Sequence, residues 1–172
     1  MRAVKCLLAV LILGFPGSFA GVYASETERL TLDRFESLER AGERHYREGE
    51  YERAFALLSQ SAESGLKLSQ YLLAIMYLKG QHVEQAIDTG MAWLGVANEV
   101  EVREWQAQYE GIYAQLNDAQ KALIDKKVAH YVERYGMEVQ GVACENRSTL
   151  GSRKLKLECL HRDRTPRIIT GH

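Results

Sequence analysis

Residues 41–80 read AGERHYREGEYERAFALLSQSAESGLKLSQYLLAIMYLKG, and this stretch decides the fold. Within it, Tyr46-x-x-Gly49 returns 31 residues later as Tyr77-x-x-Gly80. Beyond it, Ala54, Leu57 and Leu58 return 36 residues later as Gly90, Trp93 and Leu94, and Tyr77 returns at the same period as Tyr113. An internal period of about 20–50 residues marks stacked supersecondary units, none of which can bury its apolar face alone. Such stacks make extended surfaces for holding other molecules. The repeat therefore points to a binding scaffold ahead of an enzyme.

The hydrophobic period resolves the stretch into helices. Tyr51 to Ser64 carries Ala54, Leu57, Leu58, Ser61 and Ala62 on one face, with Gly65 placed as a C-terminal cap. Leu68 to Leu78 follows, with Tyr71, Leu72, Ile75 and Met76 apolar and Gly80 ending it. Upstream, Leu32 to Glu48 reads as a helix through Leu32, Phe35, Leu38, Ala41 and His45. Downstream, helices are expected near Thr89–Asn98 and Val102–Leu116. Asn117 or Asp118 caps a sixth helix running to Tyr135, with Ala122, Leu123, Val128, Tyr131 and Val132 turned inward and Gly136 closing it. The six pair as three antiparallel hairpins. The expected class is mainly α, an α-α superhelix of about three helical hairpins.

After Gly136 the period changes. Lys154-Leu155-Lys156-Leu157-Glu158-Cys159-Leu160 alternates polar with apolar, the pattern of a half-buried strand. Glu138–Cys144 and Lys154–His161 are read as a small C-terminal β-hairpin joined by the loop Asn146–Ser152, with Cys144 facing Cys159 near its open end. The hairpin is expected to cap the stack over its last apolar surface. Arg162 to His172 reads as a loose tail.

The N-terminus has the three parts of a secretory signal peptide. Arg2 and Lys5 precede the apolar run Cys6–Phe15, Pro16-Gly17 breaks it, and Val22-Tyr23-Ala24 offers a cleavage site, with Ser18-Phe19-Ala20 the second choice. The run is shorter than the roughly 20 apolar residues that span a bilayer. Residues 1–24 are read as signal, 25–136 as the helical repeat domain with a polar lead-in at Ser25–Thr31, 137–163 as the hairpin and 164–172 as tail. Cleavage after Ala24 leaves 148 residues with 20 basic and 23 acidic side chains, a formal charge of −3. That charge offers nothing for nucleic acid. The expected location is outside the cytoplasm, in the periplasm of a Gram-negative bacterium, without a membrane anchor. There the two remaining cysteines, Cys144 and Cys159, pair most simply as a disulfide stabilising the fold by about 3 kcal/mol. Their spacing suits neither a C-x-x-C redox centre nor a zinc site.

The segment Ala74-x-x-Tyr77-Leu78-x-Gly80-x-x-Val83, followed by Trp93 and Ala97, resembles the Sel-like repeat family, a relative of tetratricopeptide repeats with a longer loop between its paired helices. The first unit, Ala41 to Gly65, is closer to a plain tetratricopeptide unit. In the third, Tyr113 aligns but Leu116 replaces the glycine. Ala86 stands where the family has an acid and Gly90 where it has alanine, changes expected to weaken the loop cap and the helix packing. The resemblance covers residues 38 to 133 and implies an adaptor or scaffold that holds a protein or peptide on a concave face. The tail Cys144…Gly151-Ser152-Arg153…Cys159 also resembles a short cysteine-flanked hairpin of small exported proteobacterial proteins.

Candidate contact residues follow. Tyr46, Tyr77 and Tyr113 occupy the repeat position, where packing between helices is the competing explanation. Trp93 reads as core. Trp105 opens a less regular helix and is the aromatic expected to be exposed for a partner. Arg153, Lys154 and Lys156, with Arg147, Arg162, Arg164 and Arg167, make the hairpin region basic against an acidic body. This gives an alternative reading, a module that binds cell-wall polymer or anionic lipid, against the ordinary use of lysines to guard strand edges. A thiol-redox role for Cys144 and Cys159 is a further alternative. No nucleophile elbow, zincin helix or phosphate-binding loop is present, and no two of the five histidines lie at i, i+4. No catalytic residue, metal or cofactor is expected. His45 is expected to be a half-buried packing residue.

Overall fold

The computed structural model describes residues 20–148 and 155–162, with side chains described over 33–147 and 157–162. The apolar run of the N-terminus, Arg153, Lys154 and the tail lie outside the described residues. Six helices precede one two-stranded sheet: α1 (Ala20–Arg47), α2 (Tyr51–Glu63), α3 (Lys67–Lys79), α4 (Ile87–Ala97), α5 (Arg103–Tyr113), α6 (Asp118–Tyr135), β1 (Val142–Ser148) and β2 (Leu155–His161). The chain is mainly helical, with packed helix pairs and a C-terminal antiparallel hairpin.

The punctuation residues act as their chemistry requires. Gly65 and Gly80 take φ of +92° and +66°, the left-handed backbone that closes a helix without steric cost. Asn117 caps α6 with a complete capping box: its side chain accepts from the Gln120 N–H while the Gln120 side chain accepts from the Asn117 N–H. The helix α3 lacks a cap of its own at Leu66. Glu39 of α1 supplies one across the interface, its Oε2 accepting from Ser69 N at 3.0 Å and Ser69 Oγ at 2.8 Å.

The core is built where α2, α3 and α4 meet. Ala62, Leu73, Ala74, Trp93, Leu94, Val96 and Ala97 are buried there, with Tyr131 and Tyr135 of α6 against Trp93. A second cluster of Ala54, Leu58, Leu72 and Met76 joins α2 to α3. Gly90 strengthens the α3–α4 contact instead of weakening it. A Cβ there would stand 2.6 Å from Leu78 Cγ and 3.1 Å from the Ala74 carbonyl, so only glycine permits this approach.

Several elements depart from the sequence reading. The described part of α1 already includes residues 20–31, so the lead-in and the Val22-Tyr23-Ala24 site are helical. Between Gly21 and Gly42 the sequence holds neither glycine nor proline to stop a helix. The third pair is splayed: α6 lies along α4, and α5 touches α4 more lightly. The buried residue of α6 is Ile124, while Ala122 and Leu123 are exposed, Leu123 at 57%. With α4 as neighbour, the contact stripe runs through Ile124, Val128, Tyr131 and Tyr135. The strand β1 begins at Val142, not Glu138, because residues 138–141 form a turn in which Gly141 N–H bonds Glu138 O and Val142 N–H bonds Met137 O.

The hairpin also sits elsewhere than over the last unit. It folds back onto the connections between units. Val142, Cys159 and Leu66 form a small buried cluster with Phe35 of α1 and Met137 around it. His161 is buried and its Nε2 donates to the Ser64 carbonyl at 3.0 Å, tying β2 to the α2–α3 turn. Among the described residues no helix is long and apolar enough to cross a membrane.

Candidate functional site

The repeat tyrosines are held apart and each is engaged inside the fold. Tyr46 is half-buried, donates to Gln81 Oε1 at 3.1 Å and meets Tyr51 edge-on. Tyr77 is half-buried and packs edge-on against Phe55 at 5.8 Å. Tyr113 donates to both Asp125 oxygens at 2.9 and 3.0 Å, bridging α5 to α6, with Tyr109 stacked beside it. Trp105 is buried at 8% exposure, not exposed as its position suggests. Its ring stacks on Tyr71 of α3 at 4.5 Å and 9°, which anchors α5 to the second unit. Each of these four aromatics therefore has a packing partner within the fold, and of the four Trp105 is buried.

Within the hairpin, Arg147 is paired with acids of the same two strands. Arg147 pairs with Glu158 at 3.3 Å and approaches Glu145 at 3.8 Å. Lys156 lies opposite Arg147 in the strand register. Cys144 and Cys159 form the disulfide, S–S 2.09 Å, at directly opposed positions of the ladder. His45 is half-buried as read, but its Nδ1 lies 2.7 Å from Glu50 Oε2. His45, Glu48 and Glu50 bring ligand-type atoms within 4.8 Å of one another. Arg53 shares Glu50 at 3.1 Å, so ion pairing accounts for the group.

Sequence reasoning missed the polar centre of the molecule. Lys67, in the first turn of α3, is fully buried. Its Nζ donates to Gln70 Oε1 at 2.8 Å, Val96 O at 3.0 Å and Glu99 Oε2 at 2.6 Å. All three ammonium protons are used. Burial pulls the Lys67 ammonium below the ordinary lysine range, while the hydrogen bond and charge of Glu99 push back. Glu99 Oε2 also accepts from Met137 N–H at 2.9 Å, and Gln70 Nε2 donates to Ala62 O and Tyr135 O. The network joins the ends of α2, α4 and α6 through α3. The residues are scattered in sequence, and no local period signals them.

Glu99 forms part of the wall of an open cleft. This cleft of about 390 Å³ lies between the α4–α5 connection (Glu99, Val100, Glu101, Val102) and the hairpin (Cys144, Asn146, Leu157), with Met137 also lining it. A smaller one of about 90 Å³ separates β2 from Glu36, Glu39, Arg40 and Glu43 of α1. In the larger cleft, aliphatic side chains are mixed with two carboxylates and strand backbone. Among its described lining residues no nucleophile is paired with a base, and its one cysteine, Cys144, is disulfide-bonded. Such a lining suits recognition of a polar chain with apolar side chains. No family model, curated protein or solved structure matches this chain.

Proposed function

We propose that this chain is an exported helical-repeat protein that binds a segment of another protein and performs no chemistry on it. The observation that carries the reading is the open cleft between the hairpin and the α4–α5 connection. Its size falls in the usual range for binding clefts, about 300–1,000 Å³. The Sel-like resemblance over residues 38–133 agrees with a binding role. So does the Cys144–Cys159 disulfide with a site of action outside the cytoplasm. The proposed surface differs from the concave helical face that the resemblance implies, where Tyr46, Tyr77, Tyr113 and Trp105 each have a partner within the fold.

The test is crosslinking of the tagged protein in cells, followed by purification from the envelope fraction. One dominant protein in stoichiometric amount, which then binds the purified chain directly, supports the reading. Recovery of the chain alone, or with wall and lipid material only, contradicts it.

A further inference from the structure

Among the described residues, the hydrogen-bond pattern of the hairpin leaves one strand edge unpaired beside the cleft. Arg162 N–H donates to Gly141 O at 2.7 Å, which marks the Gly141/Arg162 rung as hydrogen-bonded. Bonded and non-bonded rungs alternate along an antiparallel ladder. The rungs Val142/His161, Cys144/Cys159 and Asn146/Leu157 are therefore non-bonded ones. The Cα separation of 4.0 Å at Cys144/Cys159 agrees with that assignment. Backbone groups at such rungs face away from the partner strand. The N–H and C=O of Cys144 and Asn146 thus point outward from β1.

The first position on this outer edge is already used, since Val142 N–H donates to Met137 O at 2.9 Å. Beyond it, no hydrogen bond among the described residues reaches the outer edge at Cys144 or Asn146. The large cleft begins there, with Met137, Cys144 and Asn146 all in its lining. An unpaired edge is a template for another strand, and a two-stranded sheet gains stability from a third.

We propose that the outer edge of β1 receives an extended peptide segment of a partner protein as a third strand, and that this segment alternates apolar with basic residues. The proposal rests on the partner-binding reading and names its binding mode. Side chains of an added strand alternate between the two faces. One set would lie on the cleft side beside Cys144 and Asn146, towards Val100, Val102 and Met137. The other would lie on the solvent side beside Glu145, a carboxylate that stays 73% exposed because its neighbour Arg147 sits closer to Glu158, at 3.3 Å against 3.8 Å. Glu101, exposed at the cleft, adds a second acid. Opposite charges across neighbouring strands favour pairing, and main-chain bonds supply the affinity in strand addition.

The probe is a blocked heptapeptide of alternating lysine and valine, titrated against the full mature chain by calorimetry. Two analogues each carry N-methyl groups on one of the two alternate sets of backbone nitrogens. A strand bonds through only one set, so one analogue is expected to bind at least about tenfold more weakly than the parent and the other to bind like it. Glu101→Lys is expected to weaken the parent peptide, and amide exchange at Cys144 and Asn146 to slow when it binds. Equal affinity for all three peptides overturns strand addition, as does absence of parent binding. Sensitivity to Glu101→Lys without sensitivity to methylation overturns strand addition but leaves the cleft as a binding surface. Failure to find a cellular partner while the peptide binds as described would count against the adaptor reading alone.

Discussion

Lys67 is the residue whose role is hardest to guess from its neighbours in sequence. Lysine at the start of a helix normally faces water, yet here its ammonium is enclosed and shared among Gln70, Val96 and Glu99. Removing one partner of a buried pair costs roughly 3–5 kcal/mol because the other groups stay desolvated. Lys67→Ala is expected to cost about 3 kcal/mol, the lower end, because Glu99 retains some access to water. Urea unfolding measures this, and a loss below about 1 kcal/mol would show that the network carries little stability. Tyr109 offers a pH-dependent counterpart. Burial, with the Asp125 charge and Tyr113 adding to it, pushes its hydroxyl up to about 12. The folded state then holds a proton that the unfolded chain releases near its ordinary value of about 10. This contribution is complete below about pH 10 and is lost as pH rises towards 12. Tyr109→Phe should flatten that alkaline loss relative to the parent chain. The lowered Lys67 value acts with the opposite sign, so the comparison is made between parent and variant at each pH.

Among the elements, helix ends were legible because their signals are local. Gly65 and Gly80 adopt the left-handed turn that only glycine takes cheaply, and Asn117 begins α6 with its capping box. Faces and neighbours were less legible, because they depend on what arrives from elsewhere in the chain. Leu123 belongs to an apolar pattern but faces water, since α6 presents Ile124 and Val128 when it lies along α4. Trp105 was expected to face a partner, and its burial comes from stacking on Tyr71 of another unit. Gly90 was read as a weak point of the repeat and is a point of close contact. Gly90→Ala is expected to destabilise by about 1–3 kcal/mol through overpacking against Leu78 and the Ala74 carbonyl. Gly111→Ala, in α5 with open space around it, is expected to stabilise by about 0.5–1 kcal/mol. Thermal unfolding of the two variants separates the effects, and equal shifts would mean that the α3–α4 approach is not tight.

For the whole molecule, the repeat period predicted a helical stack and the alternation after Gly136 predicted a hairpin. The place of the hairpin was not legible, because nothing local says that Val142 and Cys159 will meet Leu66 and Phe35. That placement creates the candidate site. It sets the edge of β1 opposite the α4–α5 connection and holds it there through the disulfide, His161 and the Met137–Glu99 bond. Cys144→Ser is expected to lower the melting temperature by about 5–10 °C while far-UV circular dichroism keeps its helical signal. Loss of the helical signal at ambient temperature would mean that the hairpin is required for the stack itself.

The most direct test of the cleft as the interface is photo-crosslinking in cells from a single residue at a time. A crosslinker at Asn146, exposed in the cleft, is compared with one at Gln115, exposed beyond the end of α5. Trapping of one partner protein from Asn146 and not from Gln115 is the expected result. Trapping from Gln115 alone, or of no protein from Asn146, would contradict the cleft as the working surface.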